Sequence, residues 1–388
     1  MPLKILHIDK TCTGCGACVS SCSQNALKLI YDAEGFYYPS LDVSKCIDCK
    51  LCEKNCHVLN PILHKEPVDY IAYMGKSKSE EIRKNSSSGG IFSLLANNII
   101  SKGGVVFGAR YNYEKERLEQ VDTDHVGFSE LPKSKYIESY VGDSFKTIKN
   151  YLKEDRYVMY CGTPCQISGL RTYLKQKDQT KLLAVDFICH GVPSNKNFTA
   201  YKHFIERKEK SKIVQIDFRS KTKGWHTSNL LLKFKNNQVK DIIHKLSYYY
   251  RHFYNADLLR KSCYTCNYPQ RHLSDITIAD FWGIYKYKSF MDDNKGLSLV
   301  IVNNQKGENY LTQIKASCEV EKLPHSAVQY AYNRNTTSYS NTKRSVLSKK
   351  IIKDGFISTM RHLYLKKIIY LKVRNFGGNV LRFIKIRK

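Results

Sequence analysis

No stretch of about 18 apolar residues occurs in the chain, so no transmembrane helix is expected. Met1 to Lys10 contains no apolar h-region and no cleavage site, which argues against a secretory signal. Acidic side chains are scarce, 35 Asp+Glu against 63 Lys+Arg, leaving a net charge of +28. Such an excess suits nucleic acid or an anionic surface, and aromatics do interleave the basic residues. No recognised nucleic-acid motif accompanies them, however, and that class ranks last. Disulfide-type cysteine spacing is missing too. The 14 cysteines cluster at metal-ligand spacing, which in an intracellular chain favours metal over disulfides. The expected location is cytoplasmic.

What is present is ample. With 388 residues, 42% of them apolar, and with 28 Tyr and 16 Phe, the chain can build a packed core. The length suggests about two to three domains. Charge is uneven. Residues 1–66 hold seven basic and seven acidic side chains, and residues 67–342 hold 42 and 27. Residues 343–388 hold 14 basic side chains and one acidic, Asp354. A block of that kind points to an anionic partner surface.

The strongest internal repeat lies near the start. Cys12, Cys15, Cys18 and Cys22 recur, 34 residues on, as Cys46, Cys49, Cys52 and Cys56. Each run reads C-x-x-C-x-x-C-x-x-x-C. Three closely spaced thiolates on a tight loop ligate three corners of a 4Fe-4S cubane, and the fourth lies too far round and ligates the other cluster. One cluster would take Cys12, Cys15, Cys18 and Cys56; the second would take Cys46, Cys49, Cys52 and Cys22. Gly14 and Gly16 suit a loop whose amides approach the cluster sulfurs. Paired structural zinc sites fit the doubled frame poorly, because zinc takes four ligands, usually as two C-x-x-C pairs. The proline common after the fourth cysteine is missing: Ser23 and His57 stand there.

Beyond a Pro- and Lys-containing linker, Pro61 to Pro67, the pattern alternates between strands and helices. Strands are expected at Tyr70–Met74, Val105–Phe107, Tyr157–Tyr160, Leu182–Ile188, Ile213–Phe218, Leu230–Phe234, Thr277–Ala279 and Leu297–Val302. Ser79 would cap a short helix. Ser86 to Gly90 form a loop opening a helix from Ile91 to about Ser101, which Gly103-Gly104 ends. Asn236-Asn237 reads as a hairpin turn. The expected architecture is α+β or α/β: a dicluster ferredoxin domain (1–66), a larger mixed α/β domain in two parts (67–140 and 141–342), and a basic helical tail (343–388).

Six cysteines remain. Cys161 and Cys165 follow one predicted strand, Cys189 ends another, and Cys263 and Cys266 lie in a loop. Strand ends in α/β folds tend to converge on one site, which allows a further metal centre. Buried free thiols with an isolated zinc knuckle are the alternative from spacing alone. Cys318 reads as a simple thiol.

The motifs in order are the cysteine pair of runs, S-S-G-G-I-F (Ser87 to Phe92), S-K-Y (Ser134 to Tyr136) and G-T-P-C-Q (Gly162 to Gln166). C-H-G-V-P (Cys189 to Pro193), C-Y-T-C (Cys263 to Cys266) and S-D-I-T-I-A-D-F-W-G (Ser274 to Gly283) complete them. The series resembles the beta-subunit family of coenzyme F-420 hydrogenase/dehydrogenase over roughly residues 1–305. The family includes deazaflavin-dependent dehydrogenase subunits and a plant chlorophyll reductase. The resemblance implies FAD beside iron–sulfur clusters, and a third cluster on Cys165, Cys189, Cys263 and Cys266, with Cys161 a passenger. Stand-alone members accompany surface-polysaccharide genes, and the chain resembles that type.

For the flavin, Ser88, Gly89 and Gly90 open a helix whose free N–H groups suit a pyrophosphate; an ordinary serine-rich loop would look the same. Ser134, Lys135 and Tyr136 supply a cation and a ring, and Asp280 ends a β-branched strand that lines the pocket or only packs the core. His190 is the candidate proton donor, or else a hydrogen-bond donor beside a cluster cysteine. The expected function is an oxidoreductase carrying electrons from a ferredoxin-like donor through clusters to FAD and an unidentified organic substrate. An electron-delivery subunit without its own substrate site is the alternative. In the tail, Phe356, Ile357, Met360, Leu363, Tyr364, Ile368 and Leu371 share one helical arc, which Lys367 and Arg374 intrude upon. That arc either meets the inner face of an anionic membrane or packs on the body.

Overall fold

The computed structural model describes residues 3–62, 69–174, 179–271, 273–287, 289–335 and 341–385. The linker expected at 61–67 lies almost wholly outside these. The strands, in chain order, are β1 Leu27–Tyr31, β2 Tyr37–Leu41, β3 Ile71–Ser77, β4 Val105–Asn112, β5 Arg117–Asp122, β6 Ser139–Tyr140 and β7 Val158–Cys161. They continue as β8 Leu182–Phe187, β9 Ile213–Ser220, β10 Asn229–Phe234, β11 Val239–Ile243, β12 Ile276–Asp280, β13 Ser298–Val302 and β14 Cys318–Leu323.

The main body is a mixed nine-stranded sheet, ordered β14-β3-β13-β12-β8-β7-β4-β5-β6. Its centre, β12-β8-β7-β4, is parallel, whereas β13, β3 and β14 add antiparallel on one side. The sequence accounts for this centre. Val158–Tyr160, Leu182–Val185 and Ser298–Val302 are buried at every residue, as strands covered on both faces by helices must be. Helix Ile91–Ile100 buries Leu94, Leu95 and Ile99 against Val106, Met159, Leu183 and Val300. On the other face Phe145, Ile148, Ile167 and Leu170 pack under Val105, Val158 and Leu182. A separate antiparallel sheet, β11-β10-β9, leans on helix Asn195–Glu209 through Phe198, Tyr201 and Ile205. The fold class is thus the expected one, a small cysteine-rich N-terminal module before a large mixed α/β body.

Expected element positions hold with short extensions. Ser79 accepts the Ile82 N–H at 3.3 Å as the cap of Glu80–Lys84. The β10–β11 hairpin turns at Asn237, φ +64°. Unforeseen were β1, β2, β5, β6 and β14, whose sequences are charged or half exposed and give weak alternation.

The C-terminal region differs from a free tail. Helix Asn341–Asp354 carries Arg344, whose Nε donates to the Leu259 carbonyl at 2.9 Å, and Lys343, which meets buried Asp257 at 2.8 Å. In helix Phe356–Lys385, Phe356, Met360, Tyr364 and Ile368 are buried on Tyr249, Tyr250 and their neighbours, with Ile357 packed alongside. The arc offered to a membrane is therefore mostly spent on the body. Spacing alone could not separate the two, because a core and a bilayer reward the same periodicity. Leu363 stays 39% exposed, Lys367 is exposed, and the Arg374 side chain lies outside the described residues. Among the described residues no helix is long and apolar enough to cross a membrane.

Candidate redox centres and cofactor cavity

The N-terminal cysteines gather in two groups of four. Burial lifts the Cys18 thiol well above its usual range, and charge crowding from Cys15, Cys12 and Cys56 adds to it. Cys22, Cys46, Cys49 and Cys52 line one small cavity of about 20 Å³. These are the groupings of the crossed frame. The first group lies deep. Cys15 and Cys56 are buried, and helix Pro164–Leu174 passes so close that a Cβ on Gly169 would meet the Cys15 sulfur at 2.7 Å. The second group reaches the surface at exposed Cys49. His57 is fully buried with Nε2 at 3.0 Å from the Thr13 hydroxyl, and burial followed by Arg271 pulls its pKa down to about 3.

Cys165, Cys189, Cys263 and Cys266 line a third cavity of about 130 Å³. The fold brings them there from three places. Cys165 opens the helix that follows β7, Cys189 lies just beyond β8, Cys263 lies within the short 3-10 turn Lys261–Thr265, and Cys266 follows that turn directly. Burial, then crowding by Cys263, Cys165 and Cys266, holds the Cys189 thiol well above its usual range. Four crowded sulfurs, with Arg260 in the same cavity wall, are a donor set that suits a cationic metal centre. Cys161 lines a different and larger cavity, and Cys318 is a buried thiol donating to the Ile314 carbonyl at 3.3 Å.

That larger cavity, about 870 Å³, lies at the carboxyl ends of β7, β8 and β12, where ligands of parallel sheets sit. Ser88, Gly90, Ser134, Lys135, Tyr136, His190 and Asp280 all line it. Several have local duties that the sequence did not reveal. Lys135 is half-buried, and its ammonium donates to the carbonyls of Leu131 and Pro132 at 2.9 Å and of Lys133 at 3.2 Å. All three donors are used, so Lys135 pins its own loop, and burial lowers its pKa to about 7. Asp280 is likewise engaged, accepting from Arg219 at 2.5 Å and from the Trp225 indole at 2.9 Å. Arg219 in turn stacks 4.6 Å from Trp282, whose ring lies parallel to Trp225 at 4.7 Å. Gly89 is not among the lining residues. A Cβ there would strike the Gly75 carbonyl and come within 2.9 Å of the Ser298 nitrogen, so the glycine serves the contact of its loop with β3 and β13.

His190 stands in the wall between the two cavities, with Nε2 3.2 Å from the Phe253 carbonyl. A carbonyl only accepts, so Nε2 carries the proton. Sequence reasoning missed Glu138, Arg219, Arg251, Tyr254 and Arg260, all of which line one cavity or the other. They sit in stretches without a motif, and only the tertiary fold gathers them.

Residues 155–326 match the C-terminal region of the Coenzyme F420 hydrogenase/dehydrogenase beta subunit. Residues 11–60 match the 4Fe-4S dicluster domain. The chain thus joins a segment that matches an iron–sulfur dicluster domain to one that matches part of an oxidoreductase subunit, matches that support a role in iron–sulfur electron transfer. Among solved structures, a chain of the F420-reducing NiFe hydrogenase complex from Methanosarcina barkeri is similar. The alignment covers 71% of this chain and 92% of that one, at 17% identity and a TM-score of 0.45. No curated protein matches.

Proposed function

We propose that the protein is an iron–sulfur flavoprotein oxidoreductase, which moves electrons singly from a ferredoxin-like donor to FAD and in pairs on to an organic substrate or carrier. One observation carries this reading: the cavity lined by Cys165, Cys189, Cys263 and Cys266 shares a wall with the 870 Å³ cavity, made by Ser139, Thr163, Gln166 and Cys189 to Val192. Cys12, Cys15, Cys18 and Cys56 would hold one 4Fe-4S cluster, and Cys22, Cys46, Cys49 and Cys52 the second. Cys165, Cys189, Cys263 and Cys266 would hold a third. Bound clusters supply one-electron chemistry, and a flavin converts it to two-electron chemistry.

The chain's own residues bind and orient. Close in sequence to exposed Cys49, Val43, Ile47 and Leu51 are 76%, 64% and 40% exposed, apolar surface suited to a small electron-carrying protein. Ser88, Gly90 and Ser134 lie at the N-terminal end of helix Ile91–Ile100, where backbone N–H groups favour a pyrophosphate. Lys135 and Asp280 shape the pocket through their neighbours, and His190 holds a proton at Nε2 beside it. A cavity of this size falls within the range of cofactor and substrate sites, which favours an enzyme over a pure electron-delivery subunit. The role in surface-polysaccharide synthesis rests on the resemblance alone.

The last helix also suits a membrane surface. On helix Phe356–Lys385 the face away from the body exposes Leu365, Ile369, Tyr370 and Val373 beside Arg361 and Lys366. Apolar side chains among basic ones suit peripheral attachment to anionic lipid. For the redox reading the test is anaerobic purification with iron, sulfide and flavin quantitation. A protein that takes up no flavin even on reconstitution is the electron-delivery subunit instead.

A further inference from the structure

Arg260 is 1% exposed, at the seam between the N-terminal module and the body. Its Nε donates to the Cys12 carbonyl at 2.8 Å, and Nη2 donates to the Tyr37 carbonyl at 2.8 Å and lies 3.6 Å from the Cys12 sulfur. On its other edge Nη1 donates to Glu138 Oε1 at 2.5 Å. The guanidinium lies 4.2 Å from the Tyr38 ring centroid. Arg260 and Glu138 both line the cavity of Cys165, Cys189, Cys263 and Cys266 as well. Gly14, at φ +69°, leaves the necessary room, since a Cβ there would meet Nη1 at 2.9 Å.

Such a position is costly unless the charge has partners, and here Cys12, the Tyr37 carbonyl and Glu138 supply them. The guanidinium cannot lose its proton, so its charge is permanent. When a 4Fe-4S cluster takes up one electron it gains one negative charge, with no proton required. A fixed cation and an N–H donor at the sulfur stabilise that reduced state and raise the potential. Glu138 sits on the far edge of the fork from the Cys12 sulfur, so it holds Arg260 in place and only partly offsets its field.

We propose that Arg260 is a potential-setting residue, which makes the cluster held by Cys12 the easier of the two N-terminal clusters to reduce and so draws electrons inward from the exposed one. The proposal rests on the ligand assignment given above. Its test is an EPR-monitored redox titration of anaerobically purified full-length protein, well above neutral pH, beside iron quantitation. In Arg260→Gln one reduction step moves to lower potential by at least tenfold in the reduction equilibrium, about 59 mV for one electron. Glu138→Gln keeps the fork on Cys12 and removes the opposing charge, so the same step moves the other way. Arg260→Lys, which keeps the charge, falls between wild type and Arg260→Gln. Full iron content with unmoved potentials in both Gln variants overturns the proposal. Wild-type protein with less iron than two clusters need overturns the ligand assignment instead. If Arg260→Gln does not fold, an unmoved or lowered step in Glu138→Gln overturns the proposal by itself.

Discussion

Arg344, on the penultimate helix, forms a buried ion pair with Glu34, 310 residues away in the N-terminal module. Ser348 donates to the same carboxylate at 2.5 Å, while Arg344 Nε holds the Leu259 carbonyl beside Arg260. The basic C-terminal region is therefore a clasp, and it fastens the cysteine-rich module next to the residue that touches Cys12.

Breaking the clasp should show in stability. Arg344→Ala leaves the mostly buried Glu34 carboxylate with Ser348 but no counter-charge, at a cost of up to about 3 kcal/mol. Burial works against the Glu34 carboxylate, but Arg344 and Ser348 outweigh it and hold its pKa below the ordinary value. A carboxyl lowered by folding contributes stability above its unfolded pKa and loses it as pH falls through the folded one. Thermal unfolding of wild type and Arg344→Ala should thus differ at neutral pH and converge on acidification.

Iron content separates two clusters from three. Three cubanes give about 12 iron atoms per chain and two give about eight. Cys165→Ser or Cys266→Ser should lower the anaerobic iron content by about four and leave the N-terminal signals intact. Wild-type protein at the lower figure would remove the third site.

The cysteine runs were legible because cluster ligation demands fixed short spacing, and central strands such as β7, β8 and β13 because burial on both faces demands unbroken apolar runs. For the later cysteines the rule about strand ends allowed a shared site but did not choose its members, and the set Cys165, Cys189, Cys263 and Cys266 came from the family resemblance. Illegible were duties that depend on distant partners. Nothing local distinguishes Lys135 holding three carbonyls from a lysine meeting a phosphate, or Gly89 against β3 from a glycine against a ligand. Arg260 meets Cys12 across 248 residues, a separation over which sequence spacing carries no signal.

The flavin site needs a variant that does not disturb the sheet. Gly89 is unsuitable, since any side chain there collides with β3. Ser134 lines the cavity on a loop, and its backbone N–H, 2.7 Å from the Ser87 hydroxyl, survives substitution. Ser134→Phe should abolish flavin absorbance in reconstituted protein while iron content stays at the wild-type value. Undiminished flavin in that variant would place the cofactor elsewhere.

Membrane attachment and helix packing now make opposite demands on one helix, which permits a clean separation. Met360 is fully buried, and Met360→Ala should cost about 2–5 kcal/mol of stability without altering lipid binding. Ile369 and Tyr370 are 51% and 62% exposed, so Ile369→Glu with Tyr370→Glu should leave the melting temperature near wild type. The same pair places two anions among the basic residues and removes apolar surface from the outer face. Each basic residue near an anionic bilayer contributes about 1 kcal/mol, and the apolar side chains add to it. Co-sedimentation with anionic and neutral vesicles is the measurement. Wild type and Met360→Ala should pellet with anionic vesicles only and be released by salt, and the double Glu variant should remain in the supernatant. A double variant that pellets like wild type would show that the outer face does not meet lipid. Truncation before Asn341 cannot decide this, because it also removes the partners of Glu34 and Asp257 and exposes the surface beneath Phe356 and Met360.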